Sequence, residues 1–379
     1  MKNDKGVLII SAIDPTRAYS CIKYLFMALR QNEVEVECWS RVPSNNMESY
    51  KKWGNGTKSF CTCFLSKIPK ISTIYMLAKG FVECYKYRNK TIICNDLFHY
   101  KVCVLIKKMF PETKIIEYFT EIYNEQHSSF LYKLQKYFEQ HPNVMDLMIE
   151  CDFKREQYRI NCNGVYKPSD TILNTIPLSE IEEIRKLNIN KEEIPVVVYS
   201  GGIHAKGEFS IIIDALKKID LPYRIDFYCF GPKEAIADLV EECQEKLANK
   251  YNIITNKGRE EVLRSIANAD IGIVYYDPEF SINTRYAAPT KFFEYISLGI
   301  PVVTSGNESL VRLISEYKLG AYMKTNDING MREALFELLS DTELRKDVRN
   351  SEINAFDNVL CYECQSKSAI KKILDLVNR

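Results

Sequence analysis

The stretch Pro195-Val196-Val197-Val198-Tyr199-Ser200-Gly201-Gly202-Ile203-His204-Ala205-Lys206-Gly207 decides the fold. Residues 196–199 are apolar without alternation, as a strand covered on both faces should be. A serine and two glycines then turn the chain. Beyond them Phe209, Ile212, Ile213, Leu216 and Ile219 recur at helical spacing. A buried strand, a tight turn and an amphipathic helix make one βα unit. Such a unit belongs to a parallel sheet, because parallel neighbours need a crossover between them.

The same alternation extends in both directions. Toward the C-terminus, apolar runs predict strands at 225–230, 253–254, 271–275 and 301–304, with helical patterns between them. Toward the N-terminus they predict strands at 7–12, 34–39, 91–94, 114–119, 145–151 and 171–173. Ile22, Leu25, Phe26 and Leu29 mark a helix after the first strand. At 379 residues the chain exceeds what one hydrophobic core usually supports. The reading is therefore α/β, with two Rossmann-like doubly wound parallel-sheet domains. The first spans 1–177 and the second 178–365, and a helix over about 366–379 is expected to pack back on the first. Two such domains facing a central cleft would bring both sets of strand carboxyl ends to two substrates.

Composition excludes several classes. A 46% apolar and 27% charged chain is globular and not disordered. A net charge of +1 offers no general attraction for nucleic acid. Thirteen cysteines are scattered without a paired C-x-x-C, which fits reduced, buried thiols better than a zinc site or disulfides. No apolar run reaches the roughly 18 residues of a membrane span, and 6–13 reads as a strand and not a signal peptide. The expectation is a cytoplasmic protein. Charge is uneven, however: residues 51–114 hold thirteen Lys or Arg against Glu83, Asp96 and Glu112. Interleaved with Phe60, Phe64, Ile68 and Phe81, this stretch is expected to meet an anionic membrane surface.

Two motifs carry chemistry. The turn at 200–207 offers backbone N–H groups, a helix N-terminus and the Lys206 cation, a combination that suits an anion. The second motif follows the strand at 271–275. It runs Asn283-Thr284-Arg285-Tyr286-Ala287-Ala288-Pro289-Thr290-Lys291-Phe292-Phe293-Glu294-Tyr295 and closes at Gly299-Ile300-Pro301-Val302. Pro289 is expected in the first turn of a helix that Gly299 ends. Lys291 and Glu294 are three residues apart and share one helix face. Spacing alone leaves two readings open, a surface ion pair or a pair of ligand contacts.

This segment resembles the donor-binding signature of the GT-B glycosyltransferases, in the form P-x-K-x-x-E-Y-x-x-x-G-x-P-V. Pro289, Lys291, Glu294, Tyr295, Gly299, Pro301 and Val302 match it. The Gly202…Lys206-Gly207 turn is similar to that family's phosphate loop, and Asn174 and Pro177 to the end of its first domain. The likeness is specific over 195–303 and architectural over the first half.

The resemblance implies a transferase that moves a sugar from a nucleotide-sugar donor, UDP-linked before GDP-linked, to a hydroxyl of a glycan or lipid-linked acceptor. It implies bacterial surface polysaccharide synthesis as the setting. Gly201, Gly202 and Lys206 would meet the donor pyrophosphate and Lys291 would add a second cation. Glu294 would accept the ribose hydroxyls, and Gly258 and Arg259 would lie in the base-recognition loop. Residues 283–288, Tyr286 among them, would face the sugar, with Pro289 and Thr290 opening the helix.

The first domain would bind the acceptor. Glu121, at the end of the strand at 114–119, is the candidate base or sugar contact, with Asp14, Thr16 and Asp96 as further strand-end candidates. A helix-capping role for Glu121 stays open beside it. The chain contains no D-x-D, and its four histidines make no ligand pattern, so neither a metal nor another cofactor is expected.

Two departures separate this chain from the pattern. Tyr286 stands eight residues before Glu294, where many members have a second glutamate, and the phosphate loop is a residue short and lacks the usual arginine. Two alternatives therefore remain beside the transferase: a nucleotide-sugar epimerase on the same fold, and a non-catalytic nucleotide-sugar-binding paralogue.

Overall fold

The computed structural model describes residues 6–12, 14, 20–62, 71–123, 129–163, 168–187 and 193–379. The chain divides into two compact units, 1–174 with 365–379, and 175–364.

The first unit is built on seven strands: β1 Gly6–Ser11, β2 Glu35–Ser40, β3 Thr57–Ser59, β4 Thr91–Cys94, β5 Lys114–Phe119, β6 Leu147–Glu150 and β7 Ser169–Thr171. They pair in the order β3-β2-β1-β4-β5-β6-β7, every pair parallel. Every residue of β1, β4 and β6 is buried, which explains their unbroken apolar runs. Leu8, Ile10, Ile92 and Cys94 meet Tyr100, Cys103 and Phe138 of the flanking helices in one core. Helix Lys367–Val377 packs against β5, β6 and β7. There Lys372 Nζ pairs with Asp170 Oδ2 at 2.8 Å and Ser368 Oγ donates to the same carboxylate oxygen at 2.6 Å.

The second unit has six strands: β8 Val196–Gly202, β9 Arg224–Phe230, β10 Tyr251–Thr255, β11 Ile271–Val274, β12 Val302–Thr304 and β13 Gly320–Tyr322. Their order is β10-β9-β8-β11-β12-β13, again all parallel. Strand order reverses between β1 and β4 in the first sheet and between β8 and β11 in the second. Loops leaving the carboxyl ends of such strands part to opposite faces and leave a crevice for ligand.

The apolar runs mark the central strands well and the edges poorly. β3 (Thr57-Lys58-Ser59) and β13 escape the apolar reading because each is a three-residue edge strand. β3 is held partly by side chain, with Ser59 Oγ donating to Val42 O at 2.6 Å. β7 lies two residues earlier than expected, since pairing begins when Met148 N donates to Pro168 O. None of the described cysteines is in a disulfide, and nine of them are buried. Among the described residues no helix is long and apolar enough to cross a membrane.

Candidate active site

The switch point of the second sheet collects both sequence motifs. β8 ends in Gly201 and Gly202, and helix Thr290–Leu298 begins beside them. Pro289 is the N-cap of that helix and not a first-turn residue, with φ −76° and ψ 150°. Its extended backbone leaves the first helical N–H groups pointing out of the helix. Gly299 closes the helix in the left-handed conformation, as expected, with φ +64°. Two tyrosines tie helix to strand. Tyr295 is fully buried, and its Oη accepts from Ser200 N at 2.7 Å. Its ring lies where a side chain at Gly272 of β11 would be, so only glycine fits there.

Lys291 and Glu294 do not pair with each other. Lys291 turns to the glycine turn, where its Nζ donates to Tyr199 Oη at 2.9 Å and sits 4.1 Å from that ring's centre. Gly201 has φ +148°, and a Cβ there would stand 2.5 Å from Lys291 Nζ. The glycine thus makes room for the cation. Burial pushes the Lys291 ammonium down from 10.5 to about 8, against the opposing pull of Glu208 and Glu294. Lys291 is thus a half-buried, desolvated cation that makes no ion pair among the described residues.

Glu294 turns the other way. Its Oε1 accepts from Arg259 Nε at 2.7 Å, and Arg259 Nη1 also donates to Glu180 Oε2 at 2.9 Å. Arg259 opens helix Arg259–Ile266 directly after Gly258, beside which a side chain would meet nothing within 4 Å. The Glu294 side chain is 12% exposed and that of Arg259 44%, so the bridge lies at the surface of the site.

The turn after β8 already binds carboxylates. Glu208 Oε2 accepts from His204 N at 2.6 Å and from Ala205 N at 3.2 Å, and Asp238 Oδ2 accepts from Gly207 N at 2.8 Å. Lys206 is exposed and makes no ion pair among the described residues. Tyr286 caps the short helix Ile282–Arg285, whose Arg285 pairs with Glu308 at 2.7 Å.

The switch point of the first sheet holds a cavity of about 250 Å³. It is lined from the strand ends by Ala12, Asn95, Asp96, Thr120 and Glu121, and from the helices largely by apolar groups such as Met76, Phe98 and Phe130. Asp96 is committed to the fold, since it N-caps helix Leu97–Met109 and accepts from Ala12 N at 2.7 Å. Burial would raise its carboxyl, but His99 and the backbone N–H groups hold it below the usual range. Asp14 accepts from Asn46 Nδ2 at 3.0 Å, and Thr16 lies outside the described residues.

Glu121 lines the cavity and belongs to no helix. The backbone there is held from below by two buried arginines of helix Phe153–Asn163. Arg155 donates to Thr120 O, and Arg159 Nη2 to Glu121 O at 3.0 Å. Arg159 also pairs with buried Glu150. Neighbouring Glu117 has no hydrogen-bond partner on either carboxyl oxygen among the described residues, and burial with Glu150 close by pushes it well above the carboxylate range. The sequence gives no hint of these arginines, because their polar helix pattern looks solvent-exposed.

Residues 180–354, which contain both motifs, match the family model of the glycosyl transferases group 1. This chain has the fold of the GT-B glycosyltransferases. It is similar to sucrose-phosphate synthase from Thermosynechococcus elongatus, with 16% identity, 98% of each chain covered and a TM-score of 0.74. It is similar to a glycosyltransferase from Rickettsia africae, with 13% identity over 99% of this chain and 98% of that one, at 0.73. Anabaena HepE, solved with UDP-glucose, matches at 13% identity over 98% and 99%, also at 0.73. At such identities the structural likeness speaks for the fold. No curated protein matches the chain.

Proposed function

We propose that this chain is a glycosyltransferase that takes its sugar from a nucleoside-diphosphate donor, UDP-linked before GDP-linked, and delivers it to a hydroxyl of a glycan or lipid-linked acceptor in bacterial surface polysaccharide synthesis. The carrying observation is Lys291, a desolvated cation against the Gly201–Gly202 turn with no carboxylate partner among the described residues. Relatives of this fold solved with UDP and UDP-glucose support the choice of base.

In this account the second unit holds the donor. Lys291, Lys206 and the N–H groups of the turn receive the pyrophosphate, and Glu294 accepts the ribose hydroxyls. Arg259 and Gly258 border the base, while Tyr286, Pro289 and Thr290 border the sugar. The bond from the sugar's anomeric carbon to the β-phosphate oxygen breaks, and the acceptor oxygen bonds to that carbon. The acceptor's proton passes to Glu121, at the cavity of the first unit. Charge growing on the departing phosphate is met by fixed cations and N–H dipoles, work that needs no metal ion.

Two exposed helix faces support a membrane setting at the cytoplasmic side. Ile74, Val82 and Tyr85 of helix Ile71–Lys86 are exposed, as are Leu105 and Met109 of helix Leu97–Met109, which packs on it. Lys86, Arg88, Lys101 and Lys108 are exposed around them, whereas Phe64, Lys67, Ile68 and Lys70 lie outside the described residues.

A thermal-shift panel of nucleotide sugars tests the donor. A true donor at about 100 times its dissociation constant adds roughly 2.7 kcal/mol of apparent stability. UDP-sugars should raise the melting temperature most, and a panel without any shift would refute the assignment.

A further inference from the structure

We propose that Tyr199 is the positioning residue for Lys291, its phenol hydroxyl holding the ammonium against the Gly201–Gly202 turn before any donor arrives. The proposal rests on the donor site described above and gives a role to a core residue that the proposed reaction does not otherwise use.

Tyr199 is fixed at both ends. Its ring belongs to the core of the second unit, 4.5 Å from Phe209 and 6.3 Å from Phe227 between centres. Its hydroxyl donates to Gly202 O at 3.0 Å. With that proton committed to a carbonyl, the oxygen lone pairs are left to accept from Lys291 Nζ at 2.9 Å. Burial keeps the phenol well above its ordinary titration range, so it remains a neutral donor to Gly202.

Other elements place charges and rings around the same ammonium. Tyr276, after β11, has its ring centre 5.4 Å away. Glu208 of the turn and Glu294 of the lysine's own helix act on it at longer range. None of these groups makes a salt bridge with Lys291 among the described residues. Tyr199 is therefore the hydrogen-bond partner of Nζ among the described residues, and it is joined directly to the turn that receives phosphate. A lysine held this way does not lose side-chain freedom when the pyrophosphate binds, which is the benefit of preorganisation.

Isothermal titration of the full chain with UDP, in wild type, Tyr199→Phe, Lys291→Ala and the double variant, tests the proposal. Phe keeps the ring and its packing and deletes both hydrogen bonds. We expect UDP affinity to fall about tenfold in Tyr199→Phe, the lower value for losing one bond to a charged group. In the Lys291→Ala background the same change should cost almost nothing, because the two residues act as one unit. The pH profile adds a readout that a packing role would not move. Wild-type affinity should decline above pH about 8 as Lys291 gives up its proton. That decline should begin at lower pH in Tyr199→Phe, whose lysine lacks a neutral acceptor.

Gly201→Ala reaches the same displacement by another route, since its Cβ would stand 2.5 Å from Nζ. It too should weaken UDP binding, with a further cost from an alanine held at φ +148° in the turn itself. An unchanged UDP affinity and pH profile in Tyr199→Phe, with binding lost in Lys291→Ala, would overturn the positioning role and leave the donor site standing. An equal loss from Tyr199→Phe with and without Lys291 would also overturn it. If Lys291→Ala itself binds UDP like wild type, the donor-site reading fails.

Discussion

Replacing Lys291 by methionine should stabilise the free protein and disable it. A fall of its pKa from 10.5 to about 8 means that burial costs the charged form about 3 kcal/mol, at about 1.4 kcal/mol per pH unit. The bond to Tyr199 and the ring contact return part of that, so Lys291→Met should gain roughly 1–3 kcal/mol at pH 7. Methionine fills much the same volume and needs no hydrogen-bond partner. The folded-state pKa lies below the unfolded one, so wild type carries the full cost below pH 8. It recovers stability as pH rises from about 8 toward 10.5, where the folded form loses its proton first. The advantage of the variant should shrink over the same window. UDP binding should weaken at the same time by about 2–5 kcal/mol, a factor of roughly 30 to several thousand. Urea unfolding at pH 7 and pH 10, beside titration with UDP, would measure both effects. A Lys291→Met protein less stable than wild type at pH 7, yet binding UDP as well, would refute the argument that this lysine is an ill-solvated cation kept for an anionic ligand.

Glu294→Gln keeps the shape but weakens acceptance from Arg259 and, in the proposed donor site, from ribose. It should raise the donor KM at little cost in kcat, by about 1.5–3 kcal/mol, read by steady-state kinetics. Activity should change less than about twofold in EDTA, equivalent to roughly 0.4 kcal/mol in barrier; complete loss restored by Mg²⁺ or Mn²⁺ would contradict the metal-free account. Liposome co-sedimentation should show binding to anionic vesicles that weakens with salt, at about 1 kcal/mol per engaged Lys or Arg. Glu117→Gln should keep or raise stability, because the carboxyl is buried without a hydrogen-bond partner among the described residues. Since the folded-state pKa of Glu117 is raised above 4.5, wild-type stability falls as pH climbs past that value, and the variant should flatten this slope in a pH series of urea melts.

The architecture was legible wherever a strand is central. β8, β11 and β12 are buried throughout or nearly so, and continuous apolar runs announce them. Three-residue edge strands such as β3 carry no such signal, because one polar turn reads like another. The Pro289 helix was legible from its closing glycine and its buried Phe292 and Phe293. The partners of its two charged residues were not. Lys291 and Glu294 are three positions apart and invite pairing, yet Lys291 reaches 92 residues back to Tyr199 and Glu294 reaches 35 back to Arg259. Only the sheet order β9-β8-β11 brings those positions together. In the first unit the strand-end acids were visible as candidates. What separates them is tertiary: Asp96 spends its oxygens on Ala12 and His99, whereas Glu121 lines a cavity. The arginines beneath it, Arg155 and Arg159, lie in a helix polar enough to look solvated, and their burial follows from carbonyls and carboxylates supplied by other strands.

The most direct measurement is a crystal structure of the full chain grown with UDP. The account predicts a diphosphate within hydrogen-bond reach of Lys291 Nζ and of the turn at 201–207, with Glu208 displaced from the His204 and Ala205 N–H groups and the ribose against Glu294. A well-ordered UDP bound elsewhere, or bound here with Lys291 turned away from the phosphates, would contradict it.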